Sequence, residues 1–325
     1  MIRKITALLT ALVLCFCLCG CTAQKKPQSE QATMTPVVVY PEGPILYKAT
    51  DSDGDVVWLF GSIHVGREEF YPLPGYISSA FDESEALAVE VNVNEEDTSS
   101  SIMSATKLIY KDFSKISDHI DAETYSQAVQ YLTEAGLYSP MLDFYKPVMW
   151  SSVIEVIAAE KAGADTTLGV DVHLISEATD IGKEILEIET ADSQIDMLAG
   201  FSDELQEYML KDTMSLISQQ ETDDGFNELI ELWHSGDEEA FEAYLSTDYD
   251  GMTEEERGLV DEYNKKMIKD RNLLMADFAE DMLEERKKAF ICVGAAHVIG
   301  EGGIADILSE RGYTVERVGG VLTFA

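Results

Sequence analysis

Two of the five histidines in this chain stand in the same short pattern, with a glycine three residues before the imidazole. The copies are Gly61-Ser62-Ile63-His64 and Gly294-Ala295-Ala296-His297, and each follows the end of an apolar, strand-like run. A glycine at this spacing lets the backbone turn sharply and leaves room beside the imidazole. Because neutral imidazole is the commonest protein ligand for metal ions, the two copies predict a shared site for a divalent cation.

Glu90 is the acidic residue that we expect to complete this site. It interrupts the apolar sequence Leu87-Ala88-Val89-Glu90-Val91, within a run, Ala86–Val93, that is typical of a buried strand. A carboxylate in such a place is costly unless it binds a cation or accepts strong hydrogen bonds. A single buried histidine is more often structural than functional, but His64, Glu90 and His297 together favour a functional cluster around one point.

The elements around these residues predict that both ends of the chain share one sheet. Each end has the order strand, Gly-x-x-His, helix, strand, and the region between them has helical periodicity in segments of about 95–180 and 191–286. The fold class is therefore α/β (or α+β), a central mixed sheet with a large helical middle region. The predicted strands are Ile45–Ala49, Val56–Gly61, Ala86–Val93, Lys183–Ile188, Ala289–Val293, Thr314–Val318 and Val321–Phe324.

Residues 1–20 have the pattern of a lipoprotein export signal. Arg3 and Lys4 precede an apolar run from Ala7 to Leu18, and Leu18-Cys19-Gly20-Cys21 is similar to a bacterial lipobox. We expect Cys21 to be lipidated, residues 21–40 to form a flexible tether, and residues 41–325 to form the folded body. This places the protein at the cell membrane or outer membrane, on the extracytoplasmic face. The alternative is an ordinary cleaved signal.

The composition limits partners and cross-links. Sixty-one acidic residues against 23 basic ones give a net charge of −38, which argues against binding to nucleic acid. Four of the five cysteines lie in or beside the signal, so Cys292 has no partner for an intramolecular disulfide once Cys21 is lipidated. The sequence also has no His-Glu-x-x-His and no Gly-x-Ser-x-Gly motif.

The order and spacing of these motifs resemble the TraB/PrgY/GumN family, which includes the Tiki proteins. The likeness covers about residues 45–318 and nearly the whole folded body. The segments that carry it are Trp58-Leu59-Phe60-Gly61-Ser62-Ile63-His64, Pro72-Leu73-Pro74, Glu90, Leu168-Gly169-Val170-Asp171, Leu186-Glu187-Ile188-Glu189-Thr190, Gln194, Arg271-Asn272, Val293-Gly294-Ala295-Ala296-His297 and Gly303.

The resemblance implies a role for each matching residue. Tiki proteins are described as metal-dependent proteases that use the two Gly-x-x-His motifs and a glutamate. By this likeness, His64 and His297 would bind a divalent metal (Mn, Co or Zn), with Glu90 as a third ligand or as the base. Arg271 would orient Glu90 or stabilise an oxyanion. The residues expected to support this site are Asn272, Glu189 and Asp171.

Three functional readings follow from these observations. The first is a lipid-anchored, extracytoplasmic metal-dependent hydrolase that acts on a peptide or protein substrate. The alternative is a non-catalytic binding lipoprotein that sequesters a peptide or a small ligand such as haem through His64 or His297. The third is a scaffold whose histidines only close the sheet, and it predicts that no metal binds.

Overall fold

The computed structural model describes residues 43–93, 104–218 and 222–319, with the backbone alone at 218 and 222–224. The predicted signal, Cys21 and the tether up to residue 40 lie outside the described residues. The same is true of the predicted final strand, Val321–Phe324. In the part that is described, no helix is both long and apolar enough to cross a membrane.

Six strands form one mixed sheet in the order β4-β3-β5-β2-β1-β6, which confirms the predicted α/β class. Strand β1 pairs antiparallel with β2 and with β6, whereas β2, β5, β3 and β4 pair parallel to one another. The strands are β1 Leu46–Thr50, β2 Val56–Ser62, β3 Ala86–Val89, β4 Glu184–Glu187, β5 Ala289–Gly294 and β6 Thr314–Val318.

The two strands that precede the Gly-x-x-His motifs are neighbours in the middle of the sheet. Gly61 of β2 pairs with Val293 of β5, and Ser62 pairs with Gly294. Because the strands are parallel, both motifs leave the sheet at the same edge. The predicted pairing of the two chain ends is also present, between β1 and β6.

One strand is shorter than the sequence predicts. The apolar run from Ala86 to Val93 suggests a strand throughout, but β3 ends at Val89, and Glu90 follows it. The carboxylate of Glu90 therefore does not interrupt a strand. It lies at the carboxyl edge of the sheet, beside the ends of β2 and β5, where ligand crevices form in open α/β sheets.

Helices occupy most of the remaining described chain. They are α1 Gly75–Glu83, α2 Ala122–Glu134, α3 Pro147–Lys161, α4 Val170–Ile181, α5 Ala191–Ala199, α6 Asp203–Ser218, α7 Thr222–Ser235, α8 Glu238–Leu245, α9 Glu254–Tyr263, α10 Asp270–Glu284, α11 Ala295–Val298 and α12 Ile304–Glu310. A π-helical segment, Asn264–Lys269, joins α9 directly to α10. Such segments occur frequently at functional sites, and this one ends two residues before Arg271.

The buried apolar side chains form two clusters. The first packs on the sheet and includes Phe60, Phe81 and Phe290, and the second fills the helical middle region around Trp150. A direct bond joins the helices to the sheet, because the indole Nε1 of Trp233 on α7 donates to the carbonyl oxygen of Gly61 at 2.8 Å. The helical region therefore supports the strand end from which the first Gly-x-x-His motif leaves.

Candidate active site

The structure brings His64, Glu90 and His297 together at the carboxyl edge of the sheet. A methyl group placed on Gly294 would lie 3.5 Å from Oε1 of Glu90, 3.6 Å from Cδ2 of His297 and 3.7 Å from Nε2 of His64. All three side chains are buried, with exposures of 7% or less. The glycine before the second histidine thus leaves open the space that the three groups share.

Asp171 reaches His64 from the start of α4. The backbone N–H of Val170 donates to the carbonyl oxygen of Ile63 at 3.0 Å, which fixes this helix against the first motif. Gly169 permits the contact, since a side chain there would approach the carbonyl oxygen of His64 to 2.7 Å. As a result, Oδ2 of Asp171 lies 3.3 Å from Nδ1 of His64.

This pair leaves polar atoms that a water molecule could satisfy. Within the described chain, Nδ1 of His64 and Oδ1 of Asp171 have no partner in hydrogen-bond geometry. Burial by itself lowers the pKa of His64, but the negative charges of Asp171 and Glu90 raise it above its ordinary value overall. Asp171 therefore favours proton uptake by His64.

A small cavity lies beside His64 and Glu90. Its volume is about 20 Å³, which is room for about one water molecule. The polar side chains that line it are Ser62, His64, Glu90, Asp171 and Gln194. This space is much smaller than a haem group.

Glu90 is held as a carboxylate by several donors. Its Oε1 accepts from the backbone N–H of Gly294 at 2.9 Å, and its Oε2 accepts from Nη2 of Arg271 at 2.5 Å and from Nε2 of Gln194 at 3.3 Å. Burial favours the neutral acid, but the charges of Arg271 and the histidines outweigh burial and hold the pKa of Glu90 well below its usual range. Both oxygens of Glu90 are therefore engaged by donors, and its role as the base stays a prediction of the family resemblance.

Arg271 is the centre of the network. Its Nε donates to both oxygens of Glu189 at 2.9 and 3.2 Å, and Nη2 donates to Glu189 at 2.7 Å as well as to Glu90. Its Nη1 donates to Nε2 of His297 at 3.0 Å and to the carbonyl oxygen of Met267 at 3.4 Å. All five N–H groups of the guanidinium are thus engaged. Arg271 orients Glu90 and has no donor left for an oxyanion.

His297 is locked in one tautomer. Arginine can only donate, so Nε2 of His297 must accept, and Nδ1 carries the proton that it donates to Oδ1 of Asn272 at 2.7 Å. Nδ2 of Asn272 donates to the carbonyl oxygen of Gly302 at 2.7 Å, which fixes the orientation of the amide. Burial, followed by the charge of Arg271, lowers the pKa of His297 to about 3, so the ring is neutral at pH 7.

The predicted three-ligand metal site does not fit these residues as they are arranged. Nε2 of His64 and Oε1 of Glu90 face the shared space, but the lone pair on Nε2 of His297 is directed at Arg271. Across the described ranges, no group of three or more His, Cys, Asp or Glu residues is placed to hold a metal ion.

Some residues of the site could not be assigned a role from the sequence. Gln194 belongs to the resembling segments, but its contact with Glu90 and its 2.8 Å bond to Glu189 become visible only in three dimensions. Cys292 lines the cavity, and burial raises the pKa of its thiol well above the ordinary value, so it stays neutral. In the sequence, the one feature that points to Gln194 is its place in the first turn of the helix that follows Glu189.

The remaining histidines lie away from this cluster. His119 stacks on Tyr110 with ring centroids 3.9 Å apart, and His173 stacks on Tyr71 at the same distance. His234, at the end of α7, stacks on Phe70. Each of these three rings therefore packs against an aromatic side chain.

Comparison with known proteins finds two relatives that match part of this chain. The uncharacterized protein YbaP of Escherichia coli K12 is 29% identical to this chain over 147 residues, which are 45% of this chain and 52% of YbaP. The YbaP protein of Shigella flexneri matches to the same extent. The chain thus spans about half the length of the curated relatives it matches, and no solved structure matches it.

The match to a protein family covers far more of the chain. The sequence pattern of the TraB/PrgY/gumN family matches residues 45–317, from the first strand of the sheet to the last. Both Gly-x-x-His motifs, Glu90 and Arg271 lie inside this range. This protein therefore belongs to the TraB/PrgY/gumN family.

Proposed function

We propose that this protein is a lipid-anchored, extracytoplasmic hydrolase of peptide or protein substrates, in which His64 activates a water molecule. The observation that carries the proposal is the water-sized cavity between the His64–Asp171 pair and the ionised Glu90. The substrate class rests on the family resemblance of the motifs. The half-buried Val93 and Ala191 also line the cavity.

The chemistry follows from the positions of the two acidic groups. Neutral His64 accepts a proton from the water through Nε2 while the water oxygen attacks the carbonyl carbon. The carboxylates of Asp171 and Glu90 stabilise the imidazolium that results. His64 then returns the proton to the amine as the C–N bond breaks, and a carboxylic acid and an amine leave.

An isotope experiment tests this proposal. The purified full chain is incubated with a mixture of peptides in H₂¹⁸O, and mass spectrometry identifies new C-termini. We expect one ¹⁸O atom at each new carboxyl group, with an unchanged yield when a strong chelator is present. Activity that disappears with the chelator and returns with Mn²⁺, Co²⁺ or Zn²⁺ would contradict this mechanism and support the metal-dependent one. Absence of any cleavage would favour the binding lipoprotein.

The pH dependence of kcat/KM should show whether Asp171 raises the pKa of His64. The base must be neutral, so kcat/KM should rise with pH through a pKa above the ordinary value of 6.5 for histidine. In Asp171→Asn the attraction that raises this pKa is lost, and the acid limb should move to lower pH while the plateau falls. Glu177→Gln, which changes the partner of the half-exposed His173, is the control and should leave the limb in place. If the acid limb of the kcat/KM profile stays at the same pH in Asp171→Asn, Asp171 does not act on His64.

Gly294→Ala should separate activity from stability. The backbone of Gly294, with φ −52° and ψ 136°, suits an alanine, and contacts of 3.5–3.7 Å are ordinary packing distances. The free energy of unfolding should change by less than about 1 kcal/mol. Because the methyl group would lie 3.7 Å from Nε2 of His64 and 3.5 Å from Oε1 of Glu90, we expect it to crowd a water molecule bound between them, and kcat should fall roughly 10²-fold.

Gly258→Ala is the matched control for this change. Gly258 lies within α9 with open space around it, so alanine should stabilise that helix by about 0.5–1 kcal/mol and leave kcat unchanged. Full activity in Gly294→Ala would mean that the reacting water does not lie in this space.

Lipid anchoring through Cys21 is a separate part of the proposal, and it rests on the sequence alone. Intact-mass analysis of the protein expressed in a bacterial host should find acyl chains on a mature N-terminus at Cys21, and the protein should enter the detergent phase on phase separation. Cys21→Ser should lose both properties. A mature N-terminus at any other residue would refute the anchor and leave the proposed chemistry untouched.

A further inference from the structure

We propose that the Arg271 side chain is a built-in cation in the place where a metal would bind His297, so that the protein gains a metal site when Arg271 is removed. This inference goes beyond the proposed hydrolysis, since it concerns which cation the site holds. Three observations carry it: the direction of the His297 lone pair, the anchoring of Arg271, and the donor set that surrounds the guanidinium.

The first observation is the tautomer of His297. Asn272 accepts the proton of Nδ1, so the one lone pair of the neutral ring is on Nε2. An sp² ring nitrogen has no second lone pair, and this one already accepts from Nη1 of Arg271 at 3.0 Å. A metal ion can therefore bind Nε2 only after this contact breaks.

The second observation is how firmly Arg271 is held. Its side chain is 8% exposed and is paired with Glu189 and Glu90, whose side chains are 9% and 8% exposed. Removing the guanidinium from His297 would also disturb charge-assisted bonds to both carboxylates. Arginine stays protonated at any pH at which a protein folds, so a pH change does not vacate this position.

The third observation is the donor set around the guanidinium. One neutral imidazole nitrogen and the oxygens of two carboxylates, Glu90 and Glu189, surround a single positive charge. Nitrogen and carboxylate oxygen are ordinary ligands of Zn²⁺. Among the described residues these three groups do not converge closely enough to hold a metal while Arg271 stands between them. Without Arg271, two buried carboxylates would lack their cation, and we expect the three side chains to close on a divalent metal that replaces it.

The test compares Zn²⁺ binding by the full chain and three variants. Arg271→Met removes the guanidinium but keeps a long apolar side chain, and competition with a chromophoric chelator should show one new Zn²⁺ site, at least tenfold tighter than any in the wild type. Arg271→Lys keeps a cation and is the matched control, so its affinity should stay near that of the wild type. The double variant Arg271→Met/His297→Gln should lose the new site.

A measurement on the wild type keeps the test decisive if Arg271→Met fails to fold. The side-chain ¹⁵N resonances of His297 should not move when one equivalent of Zn²⁺ is added, because its lone pair is already used. A shift of the Nε2 resonance, or equal affinity in the wild type and Arg271→Met, would overturn the proposal. Both readouts measure metal binding, so failure here is distinguishable from failure of the proposed hydrolysis.

Discussion

Replacing His64 by alanine is expected to lower kcat for peptide hydrolysis about 10³-fold, within the range that positioned general bases contribute. The cavity remains, but it loses the imidazole that takes the proton from water, and both oxygens of Glu90 are already engaged by Arg271, Gln194 and the N–H of Gly294. Initial rates measured at a pH on the plateau of the wild-type profile, with circular dichroism to verify the fold, provide the measurement.

Two other histidines give this experiment its controls. His173→Ala removes a half-buried ring that stacks on Tyr71, and it should change kcat less than twofold. His297→Gln keeps an acceptor for Arg271 and should retain activity within about tenfold of the wild type. If His297→Gln falls as far as His64→Ala, both imidazoles act on the reaction together, and the shared metal site predicted from the sequence becomes the better account.

Arg271→Met is expected to lower the free energy of unfolding by about 3–5 kcal/mol, because it leaves two buried carboxylates without their cation. Glu90 and Glu189 are the groups affected, with side chains 8% and 9% exposed. Urea denaturation at pH 7 measures the change. The matched control is Arg286→Met, whose guanidinium is 67% exposed beside Asp53 and should contribute no more than about 1 kcal/mol.

The loss in Arg271→Met should depend on pH with a definite sign. In the wild type the pKa of Glu90 is depressed, so the stability it contributes is present above the unfolded pKa and is lost as pH falls through the folded pKa. Without Arg271, burial raises the pKa of Glu90, and protonation becomes favourable in the folded state. The difference between wild type and variant should therefore shrink as pH falls from 7 towards 5. A difference that stays constant would mean that the variant is destabilised through lost packing instead.

Many of the strands could be predicted because the apolar pattern that marks a strand is a local feature of the sequence. The apolar runs from Val56 and Ala289 and the terminal run Thr314–Val318 mark their strands to within one or two residues. The error at Ala86–Val93 has a physical reason. Apolar residues beyond Val89 are buried by tertiary contacts without pairing in the sheet, and hydrophobicity alone cannot distinguish the two.

The sequence also predicted that His64, Glu90 and His297 meet, because both histidines follow strand-type runs and Glu90 is an acidic residue within a third apolar run. The position of Arg271 between Glu90 and His297 could not be predicted from the sequence. A motif shows which side chains are available, but the one lone pair on Nε2 of His297 binds either a metal or Arg271, and only the three-dimensional arrangement decides which.

The sequence by itself determined the strand–Gly-x-x-His units, the acidic composition and the family, because these depend on residue order. Only the tertiary structure decided that Asp171 lies beside Nδ1 of His64, that Glu90 lies beyond its strand, and that Arg271 faces the lone pair of His297. Those facts depend on hydrogen-bond directions between residues that lie far apart in the chain, and no local pattern encodes such directions.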